Sequence, residues 1–201
     1  MSSIGWLMIC LFLPASLGLV GQILKGEGLA LQLLAIAFLL FSLEQARMAI
    51  VDLEQIAAVR QQVKNKQGQN EEAQNEEAQS DPVQGDRLQP FYRVTVSTIA
   101  LELLGFYMAA IWLGWGAVLV LLSQVWFNCL ANIQLHPNSR SPIQPWGIPQ
   151  RIPVLVADGI GLILVSLWMT NISALWMASG ILSLAIVFGV VKYVMPLKQI
   201  S

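Results

Sequence analysis

The chain has 201 residues, of which 56% are hydrophobic and only 11% are charged. Soluble domains carry about 25% charged residues, so this composition excludes an ordinary water-soluble globular domain. The formal net charge is −1 and no basic groove is visible, so nothing indicates nucleic-acid binding.

Six stretches of the chain are long and apolar enough to cross a bilayer, which takes roughly 20 mostly apolar residues. Backbone polar groups in lipid must be satisfied within the segment, so each stretch is predicted to be an α-helix. The predicted fold is all-α, an integral membrane bundle of six transmembrane helices in three antiparallel hairpins. The predicted spans are Ile4–Leu24, Leu29–Arg47, Phe91–Leu113, Ala117–Leu135, Ile152–Thr170 and Ser173–Met195.

The first predicted span, within the hairpin of residues 1–47, invites comparison with a cleaved signal peptide. The three residues before it contain no Lys or Arg, which argues against a signal peptide. Small residues at Ala15, Ser16 and Gly18 keep cleavage open as an alternative.

Lys and Arg residues segregate to one side of the predicted bundle, and basic residues near span ends stay cytoplasmic. Both termini, the long middle segment and the loop 135–152 are therefore predicted to be cytoplasmic, in a bacterial cytoplasmic or thylakoid membrane. The outer loops are predicted at residues 25–28, 114–116 and 171–172. The basic residues on the cytoplasmic side are Arg47, Arg60, Lys64, Lys66, Arg87, Arg93, Arg140, Arg151, Lys192 and Lys198, with Lys25 opposite.

The second predicted helix continues past its span as an amphipathic cytoplasmic extension at residues 48–66, with Ile56 and Val63 on its apolar face. Two interpretations stay open: the extension docks on a partner or the membrane surface, or it folds back on its own protein. Residues 67–90 are rich in Gln and Glu and poor in apolar groups, which predicts a flexible linker. Residues 91–201 are predicted to form a four-helix transmembrane region.

The second predicted cytoplasmic loop is dense in proline, which disfavours a helix and favours extended and turn conformations. Ile143, Trp146 and Ile148 in this loop either dock on a partner or the headgroup layer, or pack on the protein's own helix ends. His136 is the only histidine and has no Cys, His or acid at ligand spacing, so no metal site is expected.

Ionisable residues inside membrane spans are costly, which makes them functional candidates by default. Glu44 can pair with Arg47, three residues on along the same helix face. Glu102 and Asp158 lie deeper in their spans, and each precedes a Gly by three residues and a Trp by ten. Ten helical residues rise about 15 Å, so both carboxyls are predicted near the membrane midplane.

The same spacing suggests a tandem hairpin duplication of residues 91–135 and 151–195. Independently, the predicted orientation places Trp112, Trp115 and Trp168 in an aromatic belt at the outer interface.

Polar side chains accompany Glu102 and Asp158 on the neighbouring predicted spans. Gln124, Asn128 and Asn132 follow one another at intervals of four, and Thr98 precedes Glu102 by four. These faces are predicted to turn inward, where a carboxyl either bonds to an amide or is protonated. The cluster either holds the bundle in register or lines a proton or cation pathway.

Catalysis is not expected, because the chain has no nucleophile elbow, phosphate loop, zinc-protease motif or thiol pair. No cofactor is expected either. Cys10 and Cys129 are predicted to be apolar packing residues rather than a disulfide pair.

Three segments carry a resemblance to other proteins: residues 127–137, 143–148 and 151–161. They resemble uncharacterised polytopic membrane proteins of photosynthetic bacteria. The resemblance implies a thylakoid or cytoplasmic membrane and attaches no activity.

Two functional hypotheses follow from the sequence. The first is a non-enzymatic accessory, assembly or scaffolding subunit that contacts a membrane-protein partner through Ile56, Val63, Ile143, Trp146 and Ile148. The second is a small proton- or cation-coupled transporter that uses the carboxyls of Glu102 and Asp158.

Overall fold

A computed structural model describes residues 2–72, 83–137, 139 and 141–194, with side chains described except at 66–72, 83–86 and 191–194. This part of the chain folds into six α-helices and one small hairpin, so the predicted all-α class is confirmed. The helices are α1 Ser3–Lys25, α2 Leu29–Glu72, α3 Val83–Ala109, α4 Leu113–Leu130, α5 Ile152–Met169 and α6 Ala174–Val194. Strands β1 Ile133–Leu135 and β2 Ile143–Pro145 lie between α4 and α5.

Four of the six helices, α1, α2, α4 and α5, are long and apolar enough to cross a membrane. α3 falls short because threonines, an arginine and Glu102 interrupt its apolar surface. α6 falls short because its apolar stretch within the described residues, Ala174–Val190, is only 17 residues long. These helices are compatible with a membrane protein, as the composition predicted.

The helices pack in a closed ring. α1 contacts α2 and α3, α2 also contacts α6, and the ring continues through α5 and α4 back to α3. α2 reaches across the ring to α3 as well. The main core lies inside this ring and is built from aliphatic and aromatic residues such as Phe12, Phe38, Phe106 and Val165.

The two ends of the bundle differ. One end, here called the short-loop end, carries the turns 26–28, 110–112 and 170–173. The other, here called the basic end, carries Ser2, the β1–β2 hairpin and the part of α2 beyond Glu54. Left-handed backbone occurs only at short-loop-end turns among the described residues, at Gly28, Asn171 and Ser173. Glycine and asparagine tolerate that conformation best, which explains the first two.

The turn between α3 and α4 corrects a sequence prediction. Residues 114–116 were expected to form this turn, but α3 ends at Ala109 and α4 already begins at Leu113. Gly114 and Gly116 lie in the first turn of α4, where the lack of a side chain permits close packing. A Cβ on Gly116 would stand 2.1 Å from the backbone nitrogen of Ala109.

The C-terminal end of α4 also differs from the prediction, in which this span continued to Leu135. The helix ends at Leu130, and Ile133–Leu135 instead pair as β1 with β2, Ile133 opposite Pro145. The proline-dense segment is extended here, as expected, and turns into a 3-10 helix at Ile148–Arg151.

α2 runs without a break from Leu29 through the segment 48–66 to Glu72. The predicted linker is wrong at both of its ends, because residues 67–72 and 83–90 are helical. Its centre, 73–82, lies outside the described residues, as do Arg140 and Lys198.

The two hairpins of the suggested duplication differ in helix length and in packing. An offset of 56 residues would carry the end of α3 at Ala109 onto Val165, but α5 continues to Met169. Gly105 packs on Val120 of α4, whereas Gly161 packs on Leu121 of the same helix. The two glycines therefore do not occupy equivalent places.

Candidate functional site: a carboxyl-lined cavity between three helices

A cavity of about 60 Å³ lies between α2, α3 and α4. A buried water needs roughly 10–15 Å³ of such space, so the cavity has room for a few waters. Among the described residues that line it, two are acids and none is Lys, Arg or His. The lining residues are Gln45, Met48, Ala49, Asp52, Thr95, Thr98, Ile99, Glu102, Gln124 and Phe127.

Glu102 is the most deeply buried acid at this cavity, with 3% of its surface exposed. The amide nitrogen of Gln124 on α4 donates a hydrogen bond to its Oε1 atom. The sequence left an inward carboxyl that is either bonded to an amide or protonated, and the structure brings Glu102 and Gln124 together.

Thr95 and Thr98 on α3 line the cavity, but their hydroxyl protons are donated to backbone carbonyls of the same helix. Thr95 donates to the carbonyl of Phe91 at 3.0 Å, and Thr98 donates to that of Val94 at 2.9 Å. Each hydroxyl oxygen keeps acceptor capacity, since a hydroxyl has one proton and two lone pairs. The α3 wall therefore offers mainly acceptor oxygens.

The α2 wall consists of Gln45, Met48, Ala49 and Asp52, and sequence reasoning missed it. Their spacing of three, four and seven residues places them on one helix face. This spacing is the signal by which the sequence could have shown the face. In the structure Asp52 is half-buried and lines the same cavity as Glu102.

The residues that line the cavity lie at two levels along the bundle axis. α3 runs parallel to α1, since Tyr107 bonds to Leu11 and Gln22 bonds to Ala110. α3 is therefore antiparallel to α2, and the pair Asp52 and Thr95 lies nearer the basic end than the pair Gln45 and Glu102. Seven helical residues separate the two levels, roughly 10 Å.

On the short-loop side of Glu102 the core becomes apolar. Phe106, one helical turn further along α3, is fully buried and packs against Phe12 with ring centroids 6.0 Å apart. Phe38 is fully buried in the same cluster. These aromatic side chains leave Glu102 at the apolar end of the cavity, with the polar lining extending only toward the basic end.

Asp158 does not line this cavity. It lies on α5, which packs on α4 and α6, whereas Glu102 lies on α3. Its Oδ2 atom is buried and has no hydrogen-bond partner within the described residues. The structure therefore does not bring Asp158, a member of the predicted polar cluster, to the cavity that Glu102 lines.

The predicted amide stripe on α4 is only partly present. Asn128 is buried, but its side chain donates to the carbonyl of Gln124 at 2.9 Å on its own helix. Asn132 is exposed and lies beyond the end of α4 at Leu130. Only Gln124 of the three amides reaches the cavity.

Arg151 is the second residue that sequence reasoning missed, because arginine near a span end is ordinarily exposed. It is 1% exposed, and its guanidinium donates to the carbonyl of Asn128 at 2.7 Å and to that of Trp146. The guanidinium carbon stands 4.3 Å from the centroid of the Trp146 ring. Arg151 thus ties the last turn of α4 to the loop before α5, where a cation favours the helix dipole.

The predicted docking residues are largely used inside the protein. Ile56 and Ile143 are buried in a second apolar cluster with Val59, Phe91 and Ile133, and Val63 packs against it. Trp146 is half-buried against Arg151. Ile148 alone remains well exposed, at 59%.

No group of three metal-ligating side chains occurs among the described residues. Glu44 and Arg47 form the ion pair that the sequence predicted, at 2.9 Å. Comparisons with protein-family models, curated proteins and solved structures find no match to this chain.

Proposed function

We propose that this chain is a small proton- or cation-coupled membrane transporter in which Glu102 is the coupling carboxylate. The observation that carries the proposal is the cavity itself: the buried carboxyl of Glu102 and a second acid, Asp52, line one small space together with amide and hydroxyl side chains. Buried ionisable groups in membrane helices mark ion pathways or proton relays.

The proposal places all six helices across the membrane, with the basic end in the cytoplasm. The polar stripe of α3 then faces the bundle interior, which is where costly polar groups are tolerated. From Leu29 to Gln45 the helix α2 rises roughly 24 Å in a core about 30 Å thick. Glu102 would therefore lie nearer the cytoplasmic face than the midplane, and the cavity would load from that side.

Within this proposal a proton is the favoured cargo. The cavity excludes an organic solute by size, and the described residues provide no three-ligand metal group. A few waters between Asp52 and Glu102 would connect the two carboxyls by hydrogen bonds. Gln124 would hold the Glu102 side chain in one orientation through proton uptake and release.

The test is a flux measurement in proteoliposomes that contain the purified chain and an internal pH-sensitive dye. An imposed pH gradient should drive proton uptake by the wild type, and Glu102→Gln should abolish it while an Asp158→Asn control keeps it. The glutamine retains an acceptor for the Gln124 amide, so protein yield and monodispersity should stay unchanged. A sodium gradient in a parallel arm distinguishes a proton from a metal cation.

The result against this proposal is equal flux in wild type and Glu102→Gln. Loss of flux in the Asp158→Asn control alone would transfer the role to α5 and also overturn it.

As a second function we propose that the chain is an accessory subunit of a membrane complex, because Ile148 presents an exposed apolar side chain at the basic end. Its docking surface is narrower than the sequence suggested, since Ile56, Val63 and Ile143 pack internally. A tagged pull-down from native membranes in mild detergent tests it. A stoichiometric partner that is lost in Ile148→Asp, but kept in Gln150→Asp, would support docking at this residue.

A further inference from the structure

A second groove, of about 430 Å³, lies at the basic end between α1, α2 and α3. Its floor is apolar and includes Ile4, Leu53 and Ile56. Its rim carries Arg60 and Lys64. The two cations lie four residues apart, so they project from the same face of α2.

The two rim cations are unengaged within the described part of the chain. Arg60 and Lys64 are exposed, and neither forms an ion pair there. Glu54, the acid nearest to Arg60 along this helix, accepts a hydrogen bond from the hydroxyl of Ser2. The groove therefore combines an apolar floor with a positively charged rim.

The groove lies at the level where a bilayer changes from hydrocarbon to headgroups, if the bundle sits in the membrane as proposed. α1 begins at Ser3, and Ser2 marks that level on α2 through its bond to Glu54. Arg60 and Lys64 follow Glu54 by roughly 9 and 15 Å of helix rise. Headgroup layers occupy about 5–8 Å on each side of the hydrocarbon, and long basic side chains reach back toward them.

We propose that this groove binds an anionic phospholipid, with its phosphate between Arg60 and Lys64 and an acyl chain along Ile4 and Leu53. Charge complementarity selects the occupant, since clustered Lys and Arg at a cytoplasmic membrane face attract anionic lipids. Tyr92 lines the groove as well, and tyrosine is enriched at the headgroup level. The inference rests on the membrane placement proposed above and is independent of the chemistry at Glu102.

Native mass spectrometry of the full-length chain in detergent tests the site, with added phosphatidylglycerol, phosphatidylcholine or inorganic phosphate as probes. The wild type should retain phosphatidylglycerol in preference to phosphatidylcholine. Arg60→Gln and Lys64→Gln should each weaken retention about fivefold, and the double variant roughly thirtyfold. Lys25→Gln, a matched loss of charge at the short-loop end, should leave retention unchanged.

Three results would overturn the proposal: unchanged retention in the double variant, equal loss in Lys25→Gln, or competition by inorganic phosphate as effective as that by lipid. The last would show that the apolar floor takes no part. Flux through Glu102 does not enter this measurement, so a negative result here leaves the transport proposal standing and the reverse also holds.

Discussion

At the residue scale, the contribution of the hydrogen bond between Gln124 and Glu102 to stability can be measured apart from any role in transport. Gln124→Leu removes the donor and leaves the carboxyl buried without its partner, which costs about 1–3 kcal/mol. Thermal unfolding in detergent measures this loss. The double variant Glu102→Leu with Gln124→Leu removes both partners and should recover most of the stability. A double variant less stable than Gln124→Leu would show that the bond is not the stabilising contact.

The second prediction at the residue scale concerns Arg151. Lysine has a single ammonium and cannot reproduce a planar fork that reaches two carbonyls and stacks on an indole, so Arg151→Lys is not conservative here. We expect a loss of about 2–4 kcal/mol in the free energy of unfolding, because a buried hydrogen-bonded network is broken. Gln150→Ala, an exposed neighbour, should change it by less than about 0.5 kcal/mol. Similar unfolding curves for Arg151→Lys and the wild type would contradict this account.

The sequence predicted single residues well where one chemical rule decides the outcome. Glu102 was expected to face inward and to be either amide-bonded or protonated, and the structure shows a buried carboxyl that accepts a hydrogen bond from Gln124. Asp52 and Arg151 were missed for the same reason in both cases. Charged residues near span ends are exposed by default, and only the packing of neighbouring elements reverses that default.

At the element scale, the packing of α3 against α4 depends on a glycine placed where two backbones touch. In Gly116→Ala the new Cβ would stand 2.1 Å from the nitrogen and 2.4 Å from the Cα of Ala109, both backbone atoms. The helices must separate, at a cost of about 1–3 kcal/mol. In the matched variant Gly159→Ala the Cβ meets nothing within 4 Å, and stability should rise by about 0.5–1 kcal/mol. Thermal unfolding of both variants should move in opposite directions.

The extension of α2 beyond Glu54 gives the next prediction. Val59 is fully buried in the second cluster, so Val59→Asn should weaken the contact of the extension with α3 and the β1–β2 hairpin. Limited trypsin digestion should then cut faster at Arg60 and Lys64. Ala57→Asn places the same side chain at an exposed position and should leave the cleavage rate near that of the wild type. Equal rates for the two variants would mean that the extension does not depend on this cluster.

Elements were predictable where hydrophobic length or periodicity determines them, as in α1 and in the extension of α2. Turns were less so. Residues 114–116 were expected to form a turn because they lie between the predicted spans 91–113 and 117–135. The structure uses those glycines for close approach to Ala109 and Met169 instead. Whether an apolar helix face meets its own protein or a partner also depends on tertiary packing, so the sequence left both options open for Ile56.

At the scale of the whole molecule, the described helices form a ring around an apolar core, and the polar lining of the cavity at Glu102 extends toward the basic end. The groove at Arg60 and Lys64 lies at that end as well. In the proposed function the two ends differ: protons enter from the basic end, and the aromatic cluster around Phe106 closes the cavity on the other side. α3 packs on α1, α2 and α4 whereas α5 packs on α4 and α6, so Glu102 and Asp158 have different surroundings.

The central claim is that the Glu102 carboxyl exchanges protons with water from the basic end. Infrared difference spectroscopy of the reconstituted protein across a pH titration tests it most directly. The account predicts a carboxyl C=O band that appears and disappears with pH, shifts in heavy water, and is absent from Glu102→Gln but present in Asp158→Asn. A spectrum in which Glu102→Gln and the wild type titrate identically would contradict it.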